Sequence, residues 1–290
     1  FTVLSFAGYV VLFQHVYVHA GSRVDFRASY QITMASLAAT RVFAAGGAGG
    51  IALTAWALRR SGMAARDVAD STVVFLCLTY AVYMAALIVV GVGLHVGLLP
   101  GPDPFAMTVV PAVFGAVSFA VFLAIALVPT DVERRLRAWA LAHHHPRVAR
   151  IGAKAATIPA TVSTGVRTAI AHVREGNPSL LGALAYWGFN VAVLWACFRA
   201  FGEAPPWPVI IMAYFVGMLG NLLPLPGGVG GVDGGMIGSF AAFGVDFGLA
   251  AVAVLTYRGF AFWLPTIPGA IAYFQLRKTV RRWRRVPVLH

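Results

Sequence analysis

Ala45-Gly46-Gly47-Ala48-Gly49-Gly50-Ile51 and Pro226-Gly227-Gly228-Val229-Gly230-Gly231-Val232 are two copies of one glycine cluster, each set inside an apolar stretch. Downstream of each stands the same tripeptide, Leu78-Thr79-Tyr80 and Leu255-Thr256-Tyr257. Glycine at this density breaks a helix and lets backbone approach backbone or ligand closely. In a bilayer such a break is tolerated only where protein or a water-filled cavity satisfies the freed backbone groups. Breaks at corresponding places in two halves point to a transporter binding site. Close helix packing through small residues is the plainer reading of the same pattern.

Around these clusters the chain reads as an integral membrane protein. Of its 290 residues 59% are hydrophobic and 11% charged, whereas soluble domains carry about 25% charged residues. Several windows are long and apolar enough to span a bilayer as helix. Strand-period alternation is absent, which argues against a β-barrel. Phe1 rather than Met at the start fits a fragment or a processed product, with an earlier helix missing. Cys77 and Cys197 lie in apolar helices as packing residues, with no disulfide framework or zinc spacing. The formal charge of +12 would suggest nucleic acid in a soluble protein. Here the basic residues cluster at 134–174 and 277–285, flanking membrane spans, so the positive-inside rule explains them without nucleic acid. They would also attract anionic lipid at the cytoplasmic leaflet.

A pass along the chain predicts a helix over 1–20, a second over 28–45, the first glycine cluster, and a short apolar piece over 51–58 ending at Arg59-Arg60. With arginine at both ends, 28–60 reads as a re-entrant hairpin opening to the cytoplasm. Spans follow at 72–99 and 105–128, joined by the turn Pro100-Gly101-Pro102-Asp103-Pro104. Residues 130–178 form a polar linker with eight Arg and Lys residues. Within it, 131–145 and 148–174 read as amphipathic helices on the membrane surface. Residues 179–201 cross again, and 207–223 enter and stop at Pro224-Leu225-Pro226. A short helix over 234–243 follows, Asp246 marks an exit, and 248–275 is the last span. The division is therefore an N-terminal membrane half (1–129), a basic cytoplasmic linker (130–178), a C-terminal membrane half (179–276) and a basic cytoplasmic tail (277–290). Three full crossings between residues 1 and 179 would give the halves inverted topology. The expected fold is all-α and polytopic, with two inverted halves, each holding a glycine-broken re-entrant hairpin, in the plasma membrane.

Ionisable residues at membrane depth are costly and mark function by default. Arg41 precedes the first glycine cluster, Asp233 follows the second, and Arg258 sits beside Tyr257 in the last span. Asp233 and Arg258 either form a buried ion pair that fixes packing or line a polar cavity. Arg41 and Arg258, one per half, would make a phosphate clamp, because a guanidinium binds phosphate bidentately and keeps its charge. Asp233 would hold a headgroup amine or titrate during gating. Asn221 and Gln31 would add neutral hydrogen-bonding groups. Gly46, Gly47, Gly49 and Gly50 in one half, and Pro226, Gly227, Gly228, Gly230 and Gly231 in the other, would act as backbone hinges. His95, near a helix end, reads as a snorkelling or capped side chain. His143-His144-His145 has no convergent Asp, Glu or Cys, so it gives no metal site. No cofactor is expected, and with no nucleotide motif, transport would run downhill or on a gradient.

The stretch Gly220-Asn221-Leu222-Leu223-Pro224-Leu225-Pro226-Gly227-Gly228-Val229-Gly230-Gly231-Val232-Asp233, with Tyr257-Arg258 and Trp263, resembles the lysylphosphatidylglycerol synthase transmembrane-region family, also called flippase-like. The first half fits too, with Gly46-Gly47-Ala48-Gly49-Gly50 ahead of Arg59-Arg60. In that family a Pro-Gly-Gly-x-Gly block is typically followed by Glu; here Asp233 is one methylene shorter. The resemblance implies lipid translocation. Bacterial members include the membrane part of the multiple peptide resistance factor, which moves aminoacylated phosphatidylglycerol to the outer leaflet and is fused to a soluble aminoacyltransferase. Other members are associated with polyprenyl-linked glycan pathways. The expected partners are a phospholipid substrate, anionic membrane lipids, an aminoacyltransferase or other synthetase domain, and a second copy in a homodimer. The alternatives are a membrane-embedded lipid-modifying or glycosyltransferase-associated protein and a membrane docking module for a synthetase.

Overall fold

The computed structural model describes residues 1–18, 23–42, 48–127, 157–223, 225 and 228–285. Every regular element among them is helical: α1 (Thr2–Tyr17), α2 (Phe26–Val42), α3 (Ala48–Ser61), α4 (Ala65–His95), α5 (Phe105–Ala126), α6 (Thr157–Arg174), α7 (Pro178–Phe201), α8 (Trp207–Met218), α9 (Gly231–Ala242), α10 (Phe247–Arg258) and α11 (Thr266–Arg285). A 3-10 turn, Leu219–Leu222, extends α8, and a π turn, Gly259–Trp263, leads from α10 towards α11.

The helix starts follow local chemistry. Asn177 caps α7, its Oδ1 accepting the Ser179 N–H at 2.9 Å. Pro178 occupies the first turn, where a missing N–H costs nothing. Asp246 caps α10 through the Leu249 N–H at 2.8 Å, and Asp25 caps α2 through the Ala28 N–H at 2.7 Å.

Four stretches are long and apolar enough to cross a membrane: α4, α5, α7 and the run Phe247–Trp283. The most apolar window of α5 is only 17% buried. Its Val110, Val113, Val117 and Val121 are exposed, so this is an outer helix with a lipid-facing side. The core lies where α4, α7 and α8 meet. There Trp187 stacks edge-on against Phe215 and Tyr214, and its Nε1 donates to the Thr79 carbonyl at 2.9 Å.

Two short helix pairs pack beside these spans, α2 with α3 and α8 with α9. At 12 residues each, α8 and α9 reach about 18 Å, short of the ~30 Å hydrocarbon core. Glycine sets the approach within both pairs. A Cβ at Gly50 would stand 2.6 Å from the Ser36 carbonyl oxygen, and one at Gly217 2.7 Å from the Met236 nitrogen. Small residues allow this spacing between helix backbones.

Several expectations change. α4 begins at Ala65, not residue 72, because its polar first turns with Arg66, Asp67 and Asp70 stay helical ahead of the apolar run. The last span is not one regular helix. The π turn interrupts it, and α11 carries 277–285 as helix rather than tail. α6 packs on α4 and α5, with Val166 and Ala169 buried, so it is more than a surface-lying linker helix. The predicted helix over 131–145 lies outside the described residues, as do Gly46 and Gly47 of the first cluster and Pro224, Pro226 and Gly227 of the second. Gly49 and Gly50 occupy the first turn of α3, and Gly231 that of α9.

Candidate functional site

The second glycine cluster builds the approach to Asp233. Gly228 and Gly230 take positive φ, +67° and +83°, which glycine adopts without a Cβ clash. Gly230 is the N-cap of α9, and Asp233 lies in its first turn. The carboxylate reaches back, and its Oδ2 accepts the Gly230 N–H at 3.1 Å. A carboxylate at a helix N-terminus also meets the positive end of the helix dipole. The other oxygen, Oδ1, lies 2.6 Å from Nε of Arg258, the last residue of α10. The side chains are only 15% and 9% exposed. A pair this enclosed stands or falls together, since removing one charge strands the other.

Arg258 and Arg41 converge on one ring. The Arg258 guanidinium carbon lies 4.1 Å from the Phe262 ring centroid and that of Arg41 5.0 Å from the same centroid. Arg41 also faces Phe6 of α1 at 5.8 Å. Cation–π contacts strengthen where water is excluded. The π turn explains the rest of the grip. Leu264 donates to the Gly259 carbonyl, a five-residue closure, at 2.9 Å. Pro265 has no N–H to offer the Ala261 carbonyl one turn back. Arg41 Nη2 fills that role at 3.0 Å, and its Nη1 reaches Thr266 Oγ1 at 3.4 Å. Among the described residues no carboxylate pairs with Arg41. The α2 hairpin, the π turn and the α9 hairpin are thus linked in series: Arg41, Phe262, Arg258, Asp233 and the Gly230 backbone.

Between the two hairpins lies a cavity of about 260 Å³. Its polar lining includes Thr33, Ser36, Thr40, Thr54, Thr79 and Asn221, and its aromatic walls include Tyr9, Tyr80, Tyr186 and Trp187. Gly50 borders it from the first hairpin, Gly228 from the second and Phe262 from the π turn. The buried Thr33 Oγ1 has no hydrogen-bond partner among the described residues. Ser36 and Thr54 hydrogen-bond across α2 and α3 at 2.8 Å. The cavity wall therefore offers hydroxyl groups and ring faces, and Arg41 stacks on Phe262, one of its walls. Such a surface offers hydrogen bonds to a polar, hydrated group.

The structure joins Arg41, Arg258 and Asp233 into this series and puts Asn221 on the cavity wall, with its Nδ2 3.8 Å from Met218 Sδ. Tyr257 is turned elsewhere. Its hydroxyl donates to Asn190 Oδ1 at 3.3 Å and meets the Tyr214 hydroxyl at 3.1 Å. Asn190 Nδ2 continues to Ser5 Oγ, 2.5 Å, and to the Tyr186 carbonyl, 2.8 Å. This buried network was not legible from local patterns, since its members are far apart in the chain. Gln31 does not stand at the cavity; it accepts from Thr279 at 2.8 Å at the far end of α2. His95 Nδ1 lies 3.8 Å from Asp103, both largely exposed.

Long apolar spans, two short glycine-packed helix pairs and a polar cavity between them define a polytopic helical membrane protein. The chain belongs to the lysylphosphatidylglycerol synthase TM region family, whose model matches residues 1–269. It is also similar to three proteins of Methanothermobacter thermautotrophicus, each described as a UPF0104 membrane protein. One shares 36% identity over 109 residues, 37% of this chain and 31% of the relative. A second shares 32% over 117 residues, 38% and 35% of the two chains, and a third 32% over 108 residues, 35% and 32%. Each match spans about a third of the relative's length. No solved structure matches.

Proposed function

We propose that the protein moves a phospholipid between leaflets, its headgroup passing through the cavity between the hairpins while the acyl chains stay in the bilayer. The observation that carries this reading is the cavity itself: hydroxyl-lined, bordered by both hairpins, and backed through Phe262 by a guanidinium that no carboxylate neutralises among the described residues. A fixed positive charge at such a place favours a phosphate over a neutral group. Membership of the family adds support for a lipid, aminoacylated phosphatidylglycerol among the candidates. In this reading Arg41 attracts the phosphate, and Asp233–Arg258 is a gate whose opening releases a second guanidinium. Asn221 and the Gly228–Gly231 turn would meet the headgroup, and the hairpins would be inverted repeats in the plasma membrane, with 130–178 and 277–290 cytoplasmic. Anionic lipids, a synthetase domain and a second copy of the chain are the partners this assignment anticipates.

The test is translocation of headgroup-labelled phospholipids in proteoliposomes. Thr54→Trp puts a large ring into the cavity, and Val117→Trp puts the same ring on the exposed face of α5. The parent and Val117→Trp should translocate well above protein-free vesicles, and Thr54→Trp should fall to their background. Parental rates in a folded Thr54→Trp protein would remove the cavity from the pathway.

A further inference from the structure

A second cavity, about 510 Å³, lies between the start of α2 and the end of α11. Helices α2 and α11 run antiparallel. Arg41 meets Thr266 at one end, Gly269 lies against Met34 and Ala38, Gln31 meets Thr279, and Arg23 meets the Trp283 carbonyl at the other end. One helix pair therefore serves both cavities, with the hydroxyl-lined one near Arg41 and the second near Arg23. The second is lined by Arg23, Arg27, Lys278 and Arg282, with Gln275 and Trp283 beside them. Its one carboxylate, Asp25, is engaged as the N-cap of α2. Four cations drawn from two segments far apart in sequence, against one occupied acid, form a focused positive cavity. Its volume lies in the ordinary range for ligand sites, about 300–1,000 Å³.

We propose that this cavity binds a multiply charged phosphate group, presented by a lipid headgroup or by a soluble phosphate. Guanidinium and ammonium groups converge on phosphate through charge-assisted hydrogen bonds. Basic pockets between membrane helices are a known way of holding phosphorylated headgroups. Arg23 sets the rim of the site, since its Nη1 is held by the Trp283 carbonyl at 3.0 Å. Arg27 and Arg282 are exposed on opposite walls and are the groups that close on the ligand. The proposal does not depend on translocation.

The full chain, purified in a nonionic detergent, is titrated with inorganic pyrophosphate. In parallel it is placed in phosphatidylcholine nanodiscs with and without phosphatidic acid, and bound lipid is counted by native mass spectrometry. Arg27→Gln with Arg282→Gln is compared with Arg277→Gln with Arg281→Gln, which removes the same charge from α11 residues outside the cavity. The cavity pair should weaken binding about tenfold or more, as loss of charged hydrogen bonds does, while the control pair changes it less than about twofold, as exposed charges that make no hydrogen bond to the ligand do. Loss in both arms supports a phosphate site open to either source. Loss for phosphatidic acid alone makes the source a membrane lipid, and loss for pyrophosphate alone makes it soluble. Equal loss in both variant pairs, or parent binding no stronger than to phosphatidylcholine alone, overturns the proposal.

Discussion

Arg258→Ala is expected to stop lipid translocation and to destabilise the protein, by about 3–5 kcal/mol, the usual cost of stranding one member of a buried ion pair. Asp233 would keep its bond to the Gly230 N–H but would lose the counter-charge that Arg258 places 2.6 Å from its other oxygen. Loss of fold and loss of function coincide in that single variant, so a double variant separates them. In Asp233→Asn with Arg258→Leu neither position buries a charge, and the asparagine oxygen still accepts from Gly230. Replacing a buried pair by uncharged groups of similar size is often neutral for stability. Thermal unfolding in detergent should therefore return close to the parent, while translocation stays at the protein-free level. Recovery of stability and transport together would assign Asp233–Arg258 to packing alone.

Gly220→Ala should be among the most damaging methyl groups that can be added to the second hairpin. A Cβ at this position would stand 2.7 Å from the Val232 nitrogen and closer still to the Gly231 carbonyl oxygen. Both are backbone atoms at the start of α9 and cannot rotate away. Overpacking of this kind costs about 1–3 kcal/mol. Because the displaced backbone leads directly into Asp233, translocation should fall along with stability. Gly238→Ala, in α9 of the same hairpin, is the matched control. A Cβ there meets nothing within 4 Å, and the change from glycine should stabilise α9 by up to about 1 kcal/mol. A melting temperature lowered at 220 and unchanged or raised at 238 is the expected pattern. Equal tolerance at both would mean that the backbone approach of α8 to α9 does not hold the hairpin.

Much of this architecture is written locally. The long apolar runs of α4, α5 and α7 and the turn at 100–104 follow from composition and spacing. Asp233 and Arg258 drew notice as rare charges in apolar surroundings, and the structure brings them to 2.6 Å. The π turn was missed although its signal was present. Pro265 cannot donate to Ala261, so a regular helix over 248–275 could not be complete. Reading that proline as a break would have pointed to a free carbonyl and to a donor such as Arg41. The Tyr257–Asn190–Ser5 network was invisible for a different reason. It joins α10, α7 and α1 across 67 and 185 residues of chain, and nothing in any one window calls for the others. The basic cavity was hidden by its own composition. The positive-inside rule alone accounts for Arg23, Arg27, Lys278 and Arg282 at helix ends, and only the antiparallel register of α2 and α11 brings them around one cavity.

Photocrosslinking tests the central claim, that a headgroup enters the cavity between the hairpins. A phospholipid carrying a diazirine on its headgroup is reconstituted with the parent chain, irradiated, and its adducts mapped by mass spectrometry; a second lipid carries the diazirine on an acyl chain. Headgroup adducts are predicted on Thr33, Ser36, Thr54 and Thr79, and acyl-chain adducts on the lipid-facing Val113 and Val117 of α5. Headgroup adducts confined to helix ends and to the outer face of α5, with none on the cavity wall, would contradict it.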